Sequence, residues 1–118
     1  MFKFHNQNPL KLFTDDCTIR AISMAEGTTW DYTYDKLSDL AQNYGTLLND
    51  RDFIIDYLDS KYERLYDYGL TVGEVSAKYP NNVLLISMPG HITVSKFGCI
   101  YDLFDCRKNI LEYVWLVK

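Results

Sequence analysis

Histidine is scarce in this sequence. The chain of 118 residues holds two, His5 and His91, with three cysteines, three prolines and six glycines. Each shortage excludes a class of chemistry. Cys17, Cys99 and Cys106 stand in no CxxC pair and the histidines in no HxxxH pair, so the spacing of a zinc site is missing and no metal is expected. Three cysteines also make no disulfide framework; they are read as free thiols of a reducing compartment. Gly69, Gly73, Gly90 and Gly98 form no phosphate loop, there is no GxSxG elbow, and no cofactor is expected. The longest apolar run, "VLLISM" from Val83 to Met88, is far too short to span a bilayer, and "MFKFHNQNPLKLF" lacks the apolar centre of a signal peptide. A cytoplasmic protein without a membrane partner is the expectation. Positive charge is in deficit as well. Lys and Arg number 12 against 16 Asp and Glu, for a net charge of −4, and the basic residues are scattered, which argues against a nucleic-acid partner.

What is present describes a folded domain. Apolar residues make up 47% and charged residues 24%, a globular balance, and the length fits one domain over residues 1–118. Residues 1 to 14 read as an extended or looped lead-in, with Pro9 restricting Asn8. Asp15 or Asp16 can cap a helix from Cys17 to about Ala25, ended by Gly27. Thr28 or Thr29 caps a second, with Trp30, Tyr34, Leu37, Leu40 and Ala41 at helical period and Gly45 as the stop. Asn49 or Asp50 caps a third, which buries Phe53, Ile54, Tyr57 and Leu58. "TVGE", Thr71 to Glu74, is a capping box for a short fourth helix before Pro80. Beyond Pro80 the pattern changes to strands: "NVLLISM" as a buried one, "HITVSKFG" alternating, "CIYDLF" returning after the turn at Gly98, and "ILEYVWLVK" last. Helices first and an antiparallel meander second read as α+β, with about four strands.

A few residues carry the candidate chemistry. Cys17 opens the first helix, where the positive end of the macrodipole and unpaired N–H groups favour a thiolate and can hold a developing oxyanion. Asp15 and Asp16 oppose this unless they turn away or pair with Arg20, one turn on. The plain alternative is a small core cysteine. His91 follows a glycine at the head of an alternating strand, from where an imidazole can reach a helix terminus and act as its base. Asp102 and Asp105, on the returning strand or at its end, can orient that imidazole. Register decides between them, since a slip of one residue changes the face. Asp105 is favoured because a strand end is more accessible, although "FDCRKN" also reads as a polar turn. Asn6, Gln7 and Asn8 precede the helix, and a side-chain amide among them is a candidate second oxyanion donor.

Cysteine at a helix start, then histidine on a strand, then a carboxylate on the next strand is the chain order of the papain-like cysteine peptidases. "DDCTIRAISMAEGTTWDYTYDKLSDLA", Asp15 to Ala41, resembles the opening of small papain-like domains of phage and bacterial genomes, with a DCxxRA-type nucleophile helix and a tryptophan-bearing second helix. "GHITVSKFGCIYDLFDCRKNILEYVWL", Gly90 to Leu116, is similar to their second half. The resemblance implies a minimal papain-like fold. It also implies thiol attack on an amide, ester or isopeptide carbonyl, with Cys17 as nucleophile, His91 as base and Asp105, or alternatively Asp102, as orienter. Its partners would be a protein or peptide substrate, in a host cytoplasm if the chain is phage-encoded. Two departures stand out. The glutamine such enzymes place six residues before the cysteine is Lys11 here, and no tryptophan follows the cysteine. A different expectation is a non-catalytic protein-binding module that antagonises a host factor, for which Tyr57, Tyr62, Tyr66 and Tyr68 are the interface candidates.

Overall fold

The computed structural model describes residues 1–118. Its elements run β1 (Phe2–Phe4), α1 (Cys17–Glu26), α2 (Trp30–Tyr44), α3 (Arg51–Lys61), β2 (Glu63–Leu65), α4 (Val72–Lys78), β3 (Val83–Met88), β4 (His91–Lys96), β5 (Cys99–Asp102) and β6 (Tyr113–Leu116). The class is α+β, as the order of patterns indicates. The strands form one sheet of six, ordered β1-β5-β4-β3-β6-β2. All neighbours are antiparallel except β1 and β5, which run parallel.

The expectation of about four strands is corrected to six. The four expected strands are β3 to β6; β1 and β2, three residues each, extend the two edges. Segments that short show no readable alternation, and their pairing partners are remote in the chain. Glu63 and Arg64 on β2 place charges along one outer edge, a feature that discourages pairing with another chain.

Local chemistry starts and stops the helices. Thr29 caps α2 by accepting from Tyr32 N, and Asp50 caps α3 by accepting from Phe53 N. Thr71 and Glu74 close the capping box of α4. Gly27 and Gly45 end α1 and α2 in the left-handed region, at φ 70° and 73°, where a side chain would be strained.

The sheet buries both faces, which is why β3 reads as an unbroken apolar run with all six residues buried. Val83 and Leu85 pack with Ile22, Leu37, Phe53, Leu58 and Trp115, under α1 to α3. Leu84, Ile86 and Met88 pack with Val72, Val75, Ile100 and Val114, beside α4. α1 lies against β4, so its first residue arrives beside the head of that strand. No helix is long and apolar enough to cross a membrane.

Candidate active site

Cys17 is the first residue of α1 and is half-buried. Asp16 holds the N-cap position but makes no capping bond. Its carboxylate instead accepts from Arg20 Nε at 2.7 Å, Trp30 Nε1 at 2.9 Å and Asn8 Nδ2 at 3.1 Å. The backbone N–H groups of Cys17, Thr18 and Ile19 consequently have no acceptor within the chain; the helical ladder begins with Arg20 N donating to Asp16 O.

His91, the first residue of β4, donates from Nε2 to Asp102 Oδ2 at 2.7 Å. That bond leaves Nδ1 as the imidazole nitrogen for the thiol. The β4–β5 register explains the pairing. Val94 lies opposite Tyr101, so Asp102 falls opposite Thr93 and diagonal to His91, on the same face. Asp102 is 2% exposed, and its other oxygen accepts from Arg20 Nη1 at 3.1 Å and from the Leu103 backbone N–H at 2.7 Å. Phe104 lies over the imidazole, with ring centroids 4.7 Å apart.

The preference for Asp105 over Asp102 is therefore corrected. It took "CIYDLF" as strand throughout, but β5 stops at Asp102, so Asp102 is itself the strand end. The chain then turns outward. Asp105 is exposed, pairs with Arg107 at 2.7 Å and 2.9 Å, and accepts from the Arg107 backbone N–H, as a polar turn does. Its carboxyl group is pulled down to about 2 by those bonds.

The amides of Asn6, Gln7 and Asn8 are all engaged locally. Asn6 Nδ2 donates to Leu12 O, Gln7 Nε2 to Thr28 O and Asn8 Nδ2 to Asp16. Gln7 lines a small cavity that Cys17 also lines, and its amide nitrogen commits one N–H to Thr28 O at 3.3 Å. The backbone donors left without an acceptor at the thiol's own helix are the first-turn amides of α1.

Electrostatics favour a thiolate facing an imidazolium. Burial pushes the Cys17 thiol up, but His91, the Ile92 backbone N–H and the charge of Arg20 outweigh it, and its pKa lies below the ordinary thiol value. Burial pulls the His91 imidazole down, but Asp102 and Cys17 outweigh it and lift it to about 9. Burial likewise raises Asp102, and its bonds from His91, Thr93 and the Leu103 N–H bring it below the usual carboxylate range. Oppositely shifted neighbours in a cleft make this pair the candidate functional site.

One group of donors has metal-ligand character. His91, Asp102 and Cys106 offer atoms within 4.8 Å of one another. The short His91–Asp102 contact is nevertheless a hydrogen bond, Arg20 neutralises the same carboxylate, and burial pushes the Cys106 thiol up to about 11, away from the thiolate a metal needs.

A cleft of about 230 Å³ opens on the sulfur and the imidazole. Ile54, Met88 and Trp115 supply apolar lining, and Asp15, Asn49 and Arg51 supply polar groups. It is smaller than the ~300–1,000 Å³ typical of ligand pockets. Two further elements of the site were not assigned to it from the sequence. Arg20 was legible as a partner for Asp16 one turn away, whereas its bond to Asp102 spans 82 positions. Phe104 carried no signal at all. Comparison with protein-family models, with curated proteins and with solved structures finds no match.

Proposed function

We propose that the chain is a thiol hydrolase or acyltransferase of papain-like type, acting on an amide, ester or isopeptide carbonyl. The observation that carries this reading is the alignment of Cys17 at a helix N-terminus with His91 and its buried acceptor Asp102, beside an open cleft. In the reaction, the Cys17 proton passes to His91 Nδ1 and the sulfur attacks the carbonyl carbon. The oxyanion forms next to the first-turn amides of α1. His91 then gives its proton to the leaving group, the carbon–heteroatom bond breaks, and an acyl-thioenzyme remains. Water or another nucleophile, deprotonated by His91, releases the acyl group and restores the thiol. Asp102 keeps Nε2 protonated and steadies the imidazolium, and Arg20 holds Asp102 in place.

The test is the pH dependence of Cys17 alkylation by iodoacetamide. Reaction with a midpoint well below ~8.5, lost in His91→Ala, supports the proposal. An ordinary thiol titration in the wild type refutes it. The cleft suits a single side chain or small acyl group of a protein or peptide better than a long segment. A second reading, a protein-binding module acting on a host factor, draws on Tyr66 and Tyr68, which are exposed and 5.9 Å apart. Tyr57 and Tyr62 do not share that surface role, because both donate to Glu26. Under that reading Tyr66→Ala with Tyr68→Ala abolishes partner binding and His91→Ala leaves it intact.

A further inference from the structure

Asp16 is placed where it can close the site it borders. An aspartate at an N-cap ordinarily accepts from the N–H groups two and three positions on, here Thr18 and Ile19. Those belong to the amides that would hold the oxyanion. Asp16 does not do so: its backbone, at φ −115° and ψ 22°, lies outside the extended cap geometry that Thr29, Asp50 and Thr71 adopt, and its carboxylate is drawn aside by three donors. The three come from separate parts of the chain. Arg20 is on α1 itself, Asn8 is in the N-terminal arm, and Trp30 is the first residue of α2. The indole is fixed in turn by stacking on Tyr34, with centroids 5.2 Å apart and rings inclined by 20°. Asp16 is 4% exposed, so its carboxylate is tied to these partners rather than to solvent.

From this geometry we infer that Trp30 is a positioning residue of the thiol site: with Asn8 and Arg20 it holds the Asp16 carboxylate off the first turn of α1 and so keeps the oxyanion donors open. The inference rests on the thiol-enzyme reading and assigns a positioning role at that same site. Capping would stabilise α1 and block the oxyanion; the three donors set the balance the other way.

The experiment separates oxyanion formation from thiol reactivity. Alkylation by iodoacetamide is displacement at a tetrahedral carbon and builds no oxyanion. Acylation by p-nitrophenyl acetate does build one: the C–S bond forms, the oxyanion collapses, p-nitrophenolate leaves, and water later releases acetate and the thiol. Both rates are measured on the pH plateau where the thiolate is fully formed, for the full chain and for Trp30→Phe, which keeps the stacking face and removes the indole N–H. The acylation rate is expected to fall by about tenfold, the factor attached to one lost hydrogen bond on a charged group, while the alkylation rate holds. Amide exchange at Thr18 and Ile19 is expected to slow as the carboxylate takes up capping. Asn8→Ala, which removes the neighbouring donor, is expected to shift the same ratio and serves if Trp30→Phe does not fold. An unchanged ratio of acylation to alkylation in the folded variant, or equal loss of both, overturns the inference while leaving the thiol reading intact. A wild-type thiol with an ordinary titration, or one that p-nitrophenyl acetate does not acylate, overturns both.

Discussion

Replacing Arg20 by methionine tests the buried charge network most directly. Arg20 bridges Asp16 at 2.7 Å and Asp102 at 3.1 Å, and the three side chains are 9%, 5% and 2% exposed. Methionine fills similar space but leaves the buried Asp16 facing no cation and the buried Asp102 facing His91 alone. Removing one partner from a buried ionic network typically destabilises by about 3–5 kcal/mol. A domain of this length has roughly 6–18 kcal/mol in hand at ~0.05–0.15 kcal/mol per residue, so the variant is expected to fold. With a urea m-value of about 1–3 kcal/mol/M, its midpoint should drop by at least ~1 M at pH 7. Fluorescence of the two tryptophans, Trp30 and Trp115, reports the transition. The pH dependence carries a further signature. In the wild type Asp16 and Asp102 are held below the usual carboxylate pKa despite burial, so their contribution is present above that value and is lost as pH falls through their folded values. Without Arg20, the burial of Asp16 is less opposed, its folded pKa rises, and protonation relieves the strain. The gap between wild type and variant should therefore narrow from pH 7 to pH 4. A loss below about 1 kcal/mol at pH 7, of the size expected for an exposed ion pair, refutes the reasoning.

Other expectations follow from the same contacts. Asp102→Asn should slow acylation by on the order of 10²–10⁴, the range attached to positioned acid–base groups, whereas Asp105→Asn should stay within about twofold, as surface substitutions do; steady-state kinetics with p-nitrophenyl acetate compares them. The His91 imidazolium, raised to about 9, contributes stability that is fully present below its ordinary 6.5 and is lost as pH rises through about 9. Urea unfolding of wild type and His91→Gln should accordingly differ more at pH 6 than at pH 10, and an equal difference at both would count against the ion pair.

Much of this arrangement was readable from residue order, for identifiable reasons. Caps and stops are local, so the Thr28–Thr29 and Asn49–Asp50 pairs, the Thr71–Glu74 box and the glycines at 27 and 45 mark helix ends without tertiary information, and the structure selects Thr29 and Asp50 within the pairs. Cys17 and His91 sit at element starts, which periodicity locates well. Asp102 was harder. Its identity depends on where β5 ends, and a strand boundary is decided by pairing: β1 pairs with β5 only as far as Phe4 opposite Asp102, after which the chain turns away. The second bond of Arg20 joins elements far apart in sequence, and no spacing rule reaches that distance. Asn6, Gln7 and Asn8 were attractive because amides precede the helix, yet the two asparagines bond backbone of their own arm and Gln7 reaches the Thr28 carbonyl.

The parallel pairing of β1 with β5 has a consequence for synthesis. The earliest residues, Phe2–Phe4, lie beside Ile100, Tyr101 and Asp102, and the His5 N–H donates to Asp102 O at 3.0 Å. The strand bearing Asp102 thus takes its outer neighbour from a segment far earlier in the sequence. During translation the sulfur leaves the ribosome well ahead of its imidazole, and until the late hairpin docks it remains a common thiol, mostly protonated at neutral pH. On the proposed reading, reactivity arrives with completion of the sheet, and a nascent or truncated product carries Cys17 without His91 and Asp102 beside it.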